Sequence, residues 1–246
     1  MAEIRGIGGP TVLIELGGLR LLTDPTFDPP GEYPRPGRAL RKTAPPRVDP
    51  AGLGPIDAVL LSHDEHPDNL DHAGRALLDT VPVVFTTPSG AGRLGGNARG
   101  LAPWTTADLT RPDGGALTIT SVPARHGPPG CEPITGEVIG FVLSAADLPS
   151  VYISGDNAAL ELVEQIADRC GPIDTAILFA GAARVPLLNG ARLTLSGADA
   201  ATAAMILGAR HVVAAHVDSW AHFTEGLAEF RAAFAAAGIA DRLAAG

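Results

Sequence analysis

The chain is poor in cysteine, aromatic residues, cationic charge and long apolar runs. Only Cys131 and Cys170 occur among 246 residues, too few for a disulfide framework or a Cys-rich zinc site. They read as two free thiols in a reducing compartment. With 2 Trp, 2 Tyr and 7 Phe, the core must be aliphatic. The longest apolar stretches, Thr175–Ala183 and Ala200–Ala209, fall far short of the roughly 18 residues that span a bilayer. Lys plus Arg total 18 against 27 Asp plus Glu, a net charge of −9. That argues against a nucleic-acid binder, which needs a basic face. The chain opens Met-Ala-Glu-Ile-Arg, without the basic, apolar and small-residue series of a secretory signal. These absences lead us to expect a cytoplasmic protein with a small-molecule partner and no membrane span. Monomer and homo-oligomer both stay open.

What is present is globular. The 46% hydrophobic content sits in the usual range, and 30 Gly with 22 Pro stay below the fraction that marks low complexity. We expect one domain over residues 1–246. Two β-like runs, Thr11–Leu16 and Leu19–Thr23, flank Gly17-Gly18, a hairpin signal. Residues 27–55 follow with eight prolines, no periodicity, and Arg35, Arg38, Arg41, Lys42 and Arg47. A stretch this long without a period reads as a functional loop or lid, or as a solvated loop. Strand and helix patterns then alternate. Strands are expected at 57–62, 81–86, 116–122, 138–144, 151–154, 173–179 and 212–216. Helices are expected at 70–78, 158–170, 196–208 and 223–237, the third opened by a capping box of Ser196 and Asp199. Gly6-Ile7-Gly8-Gly9 is no nucleotide fingerprint, because no strand is seen before it.

The chemistry-bearing residues gather just past strand ends. His63 follows Ala58–Ser62, His126 lies shortly after Ile119–Val122, Asp156 follows Val151–Gly155, and His216 ends Val212–Ala215. Strand ends are rigid yet open to a crevice, where α/β proteins place their sites. Three imidazoles and a carboxylate are what a divalent metal with an open water position wants. The densest stretch, His63 to His72, holds seven ionisable side chains in ten residues. Pro67 forbids a regular helix through it. The structural alternative is an exposed acidic loop that caps the next helix through Asp68 or Asn69.

At these residues the sequence resembles the metallo-β-lactamase-fold superfamily: a strand, His-x-His-x-Asp-His, then a distant His, an Asp and a last His. Asp68-Asn69-Leu70-Asp71 matches the end of that motif, with His66 as its second His. Asp156 matches the metal-bridging Asp, and His126 and His216 match the later ligands. Leu22-Thr23-Asp24-Pro25 resembles the early Asp turn of the branch that includes ascorbate-phosphate lactonase. There are departures. His63 precedes His66 by three residues instead of two, and Asn69 stands in place of a third His, although a carboxamide is the poorer ligand. Either Glu65 or His66 completes the first metal position.

The resemblance implies a four-layer αββα sandwich of the α/β class. It also implies hydrolysis of an ester, lactone or phosphoester bond by a metal-activated water. The ligand candidates are His63, Glu65, His66, Asp68, His126, Asp156 and His216, for one or two divalent ions of Zn, Mn or Fe. Asp68, Asp156 and His216 form an oxygen-rich set suited to Mn²⁺, Fe²⁺ or a loosely held Zn²⁺. Asp68 would orient the water and pass a proton on. Asn69, Arg125, Arg184, Trp220 and His222 are the substrate-side candidates. Arg125 and Arg184 read equally well as anion holders or as partners of an acid. His222 is expected to begin the last helix. Trp104 reads as core, His72 as surface and His211 as structural. Two other classes stay open: a non-catalytic metal- or ligand-binding relative, and a diiron redox protein on the same fold.

Overall fold

The computed structural model describes residues 2–35 and 38–244. Two six-stranded sheets face each other across a core of aliphatic residues with Phe85, Phe141 and Phe179 among them. The first begins with β1 (Glu3–Gly8), β2 (Thr11–Leu16) and β3 (Leu19–Thr23), an antiparallel meander. After the hairpin β4 (Gly31–Arg35) and β5 (Arg38–Lys42), the chain re-enters the sheet as β6 (Ala58–Leu60), β7 (Val84–Thr86) and β8 (Ala98–Gly100), all parallel. The second sheet runs antiparallel through β9 (Thr106–Thr110), β10 (Ala116–Pro123), β11 (Ile139–Ala145) and β12 (Leu148–Ile153). It then continues in parallel through β13 (Thr175–Phe179) and β14 (His211–Ala215).

Period-two alternation in β10 and β12 sends Leu117, Ile119, Val151 and Ile153 into the layer between the sheets, against Leu21, Leu60 and Phe85. The outer face of the second sheet is covered by α4 (Leu160–Cys170), α5 (Gly197–Ile206) and α6 (Leu227–Ala236), which bury Val163, Ile166, Phe230 and Phe234. The outer face of the first sheet packs with α1 (His72–Leu78), α2 (Pro88–Leu94) and the segments around Phe27 and Leu53. A short α3 (Glu132–Thr135) lies between β10 and β11. The result is the four-layer αββα sandwich expected. Among the described residues, no helix is long and apolar enough to cross a membrane.

Several local expectations are corrected. Residues 27–55 are not without structure, because they hold the β4–β5 hairpin. The eight prolines of residues 27–55 hide the pattern, yet Pro34 lies within a strand of a two-stranded ribbon, where a missing donor is tolerated. Backbone bonds stitch the hairpin to the loop after β14, with Thr43 N donating to Ser219 O at 2.7 Å and Ala221 N to Arg41 O at 3.0 Å. Gly6 to Gly8 belong to β1 itself. Neither Asp68 nor Asn69 caps α1; Asp71 does, with Gly74 N donating to Asp71 Oδ1 at 2.8 Å, so the helix starts at His72 and not at 70. The capping box at Ser196 and Asp199 forms as read. The last helix starts at Leu227, since Gly226 N donates to Glu229 Oε2 at 2.8 Å and fixes the first turn there. His222 therefore lies in the turn before it. Elements α2, β8 and β9 carried no clear period and were not anticipated.

Candidate metal centre

The ends of β6, β10, β12 and β14 converge at one edge of the sandwich. Asp156 reaches this edge because Gly155 adopts φ 55°; a Cβ there would meet Ile139 O at 2.5 Å and Ser62 Cβ at 2.9 Å. His216 also has a positive φ, 56°, and its backbone N is pinned by Gly9 O at 2.7 Å. An L-residue held in that region marks a position fixed by its surroundings. Asp24, at φ 27°, is held by Ser62 N, which donates to Asp24 Oδ1 at 2.6 Å.

Two groups of buried donors result. Ligand atoms of His63, His66, His126 and Asp156 all lie within 4.8 Å of one another, and so do those of Asp68, Asp156 and His216. Asp156 belongs to both. His63 Nε2 is 2.9 Å from His66 Nδ1, and His126 Nε2 is 3.5 Å from Asp156 Oδ2. On the other side, His216 Nδ1 is 3.5 Å from Asp156 Oδ1, and His216 Nε2 is 3.3 Å from Asp68 Oδ2. The outward nitrogens are oriented in the manner of metal-ligating histidines. His126 Nδ1 donates to Leu193 O at 2.8 Å, and His63 Nδ1 shares a hydrogen bond with Ser62 Oγ at 3.0 Å.

The donor set fits a metal on a direct observation. Both carboxylate oxygens of Asp156 and both ring nitrogens of His216 are buried without a hydrogen bond. Buried polar atoms are rarely left unsatisfied, and cations held by Asp156 would satisfy its two oxygens and one ring nitrogen of His216. Electrostatics agree. Burial, with His66 and His126 close by, pushes the His63 imidazole well below its ordinary value and keeps it neutral. Burial would also lower His216, but Asp156 and Asp68 outweigh it and hold His216 above its ordinary value. Burial alone would raise Asp68, yet His222 and His216 beside it keep the carboxyl well below the usual range. Asp24 is pushed well above that range by burial.

The remaining candidates separate clearly. His66, not Glu65, faces the cluster. Glu65 turns toward Gly136 and sits 3.2 Å from Arg93 Nη2. Arg93 also grips Asp64, with Nε 3.0 Å from Oδ2. Asn69 is fully buried against Asp24. Arg125 donates to Glu161 Oε1 at 2.5 Å and to Gly127 O at 3.2 Å, so it is the partner of an acid. Arg184 is exposed and donates to Gly190 O. Trp220 is core beneath the hairpin, 5.2 Å from the Tyr33 ring, with Lys42 Nζ 5.7 Å from its own ring. His222 Nε2 donates to Asp68 Oδ2 at 3.0 Å. Trp104 packs on the second-sheet core, His72 is exposed, and His211 begins β14.

Sequence reading did not single out Tyr33 or Arg75, and gave Asp71 a place in the motif but no role. With Pro34, Glu65, His66 and Leu70 they line a cavity of about 290 Å³ beside the cluster. The one sequence signal was Asp71 three residues before Gly74, a capping spacing. A larger cavity, about 570 Å³, opens between the β1 and β14 edges but contains none of the clustered ligands; the smaller one is lined by His66 of the cluster.

Fold and site together define an αββα protein with a buried His/Asp cluster able to hold a metal ion. The chain belongs to the β-lactamase superfamily domain family, whose profile matches residues 19–217. It is 25% identical over 241 residues to a metal-dependent hydrolase of Pyrococcus horikoshii, covering 94% of this chain and 91% of that one. Among solved structures it is similar to an isothiocyanate hydrolase from Delia radicum gut bacteria, with a TM-score of 0.82, 23% identity and coverage of 99% and 95%. It is also similar to a possible metal-dependent hydrolase of Veillonella parvula, with a TM-score of 0.83, 19% identity and coverage of 100% and 97%.

Proposed function

We propose that the chain hydrolyses a small ester, lactone or phosphoester, using one or two divalent ions of Zn, Mn or Fe. His63, His66, His126 and Asp156 would hold the first ion. Asp68, Asp156 and His216 would hold the second. The single observation that carries this reading is Asp156, whose two oxygens are buried without hydrogen bonds between His126 and His216.

When bound, such an ion lowers the pKa of a coordinated water to about 7 and so supplies a nucleophile at neutral pH. The chain's own residues do the rest. Asp68 is held ionised by His216 and His222, so its carboxylate would orient the water. It would then relay a proton to the leaving group. Neutral His63 offers its lone pair with no proton to lose. Tyr33, Pro34 and Leu70 give the neighbouring cavity an apolar wall for a small substrate.

The test is turnover by protein stripped of metal and reloaded with Zn²⁺, Mn²⁺ or Fe²⁺. Aryl esters, lactones, phosphodiesters and an isothiocyanate form the substrate panel. Metal-dependent hydrolysis of at least one is expected. Tight metal binding without any turnover would favour the non-catalytic relative. A coloured, iron-loaded, redox-active protein would favour the diiron reading.

A further inference from the structure

We propose that the cavity between the β1 and β14 edges binds a small carboxylate with an apolar tail, chemically a medium-chain fatty acid. The site is separate from the metal centre and does not depend on the hydrolase reading.

The cavity lies where the two sheets fail to close along one edge. On this edge His216 N donates to Gly9 O at 2.7 Å, and Ala244 N donates to Val212 O at 2.9 Å. Alternate residues of a strand direct their peptide groups to the same side. Ala214 stands midway between those two bonded residues, so its N–H and C=O face the same edge. Among the described residues no backbone group meets them there. Unpaired edge groups of this kind are ready to pair with an incoming molecule. The space beyond them, about 570 Å³, falls within the roughly 300–1,000 Å³ of small-molecule sites.

The walls select an apolar body. Ile4, Val12, Val213, Leu227, Phe230 and Leu243 line the space. Ile4 and Val213 are only partly buried although they pack against the core between the sheets, and Leu227 is 39% exposed. An apolar tail laid against these side chains takes their surface out of water, which is the main driving force for such binding.

The charges select the head group. The charged residues lining the cavity are Arg5, Arg47, Arg231 and Asp218. Arg47 Nη2 is 2.8 Å from Asp218 Oδ2, so that pair is matched. The side chains of Arg5 and Arg231 make no hydrogen bond or ion pair with the described residues. Two cations are therefore in excess at this cavity, on a chain whose net charge is −9. The guanidinium fork matches carboxylate and phosphate alike. Beside apolar walls the smaller, singly charged carboxylate loses less hydration.

The experiment is calorimetric titration of the full chain with octanoate, with acetate and octyltrimethylammonium as controls. Acetate lacks the tail, and octyltrimethylammonium keeps it but reverses the charge. One octanoate should bind per chain with a Kd of about 1 mM or tighter, and both controls at least about tenfold more weakly. Leu227→Glu sets a like charge beside the head group and should weaken octanoate about tenfold or more. Arg231→Gln should weaken it about threefold. Both positions are exposed on α6, and an acid is favoured in the first turn of a helix, so both variants should fold. Asp156→Ala should bind octanoate as wild type does, because the site holds none of the clustered ligands. Absence of saturable octanoate binding would overturn the proposal. So would equal affinity for octyltrimethylammonium, or wild-type affinity in Leu227→Glu. Octanoate binding lost in Asp156→Ala but kept in Leu227→Glu would put the carboxylate at the metal centre and overturn it as well. Should either α6 variant not fold, methyl resonances of wild type decide. Octanoate should shift those of Ile4, Val213 and Leu243; saturable binding that leaves them unmoved would sink the assignment.

Discussion

Lys42 and Asp71 form an ion pair shut off from solvent, with Nζ 2.9 Å from Oδ2 and side-chain exposures of 1% and 0%. The same carboxylate accepts from Phe27 N and Gly74 N through Oδ1 and from Asp28 N through Oδ2. One residue thus ties the β4–β5 hairpin, the turn after Asp24 and the start of α1 together. Removing one partner of a buried pair leaves an uncompensated charge, which is costly even where the intact pair contributes little. Lys42→Met should lower stability by about 3 kcal/mol, since three backbone donors still serve Asp71. Urea denaturation checks this; a loss below about 0.5 kcal/mol, the range of an ordinary surface change, would contradict it.

Asp156 is the carboxylate common to both donor groups. Asp156→Ala should therefore abolish binding at both positions and remove metal-dependent turnover, while the far-ultraviolet circular dichroism stays as in wild type. Elemental analysis of the purified variant provides the count. Wild-type metal content in that variant would rule out the shared role.

The His216 imidazole is held above its ordinary value, near 6.5, because Asp156 and Asp68 outweigh the effect of burial. The folded, ion-free protein is stabilised by this proton at low pH and loses that contribution as pH rises through the raised value. A metal needs the neutral ring. Filling the Asp68, Asp156 and His216 position should thus expel a proton, and affinity there should climb as pH rises from about 6 to about 8. Calorimetric titration in two buffers of different ionisation enthalpy reads the released proton directly. An affinity flat across that range would count against it.

Gly181 lies directly behind the His216 backbone; a Cβ at position 181 would stand 2.2 Å from His216 O and 2.9 Å from the Phe223 ring. Gly181→Ala should cost about 1–3 kcal/mol through overpacking and weaken ion binding by displacing His216. Gly92 offers the control, since it is exposed on α2 with nothing within 4 Å of its Cβ. Gly92→Ala should stabilise slightly, by about 0.5–1 kcal/mol, from helix propensity alone. Thermal melts of the two variants side by side should move in opposite directions.

The sheets and the metal cluster were legible because both are written in local pattern. Short apolar runs marked β2, β3, β10 and β13 within a residue or two, since a buried strand is a brief apolar run bounded by turn residues. His63, His126, Asp156 and His216 each stand just beyond such a run, and strand ends at one edge of a sheet share one crevice. What stayed hidden has no period. The β4–β5 ribbon is masked by its prolines, and β1 by its glycines.

Side-chain direction inside the 63–71 loop was decided only in three dimensions. Spacing alone left Glu65 and His66 as rivals, because Pro67 breaks any regular repeat there. Arg93 from α2 and the backbone at Gly136 draw Glu65 outward, which leaves His66 facing His63. His222 and Asp68 are separated by 154 positions in sequence and Lys42 and Asp71 by 29, too far for any local preference to announce their contact. The sequence alone determined which residue types stand at the strand ends, since burial and chain direction act locally. Only the packing of one loop against another decided which of those side chains meet, because a contact between distant segments depends on where the whole chain places each backbone.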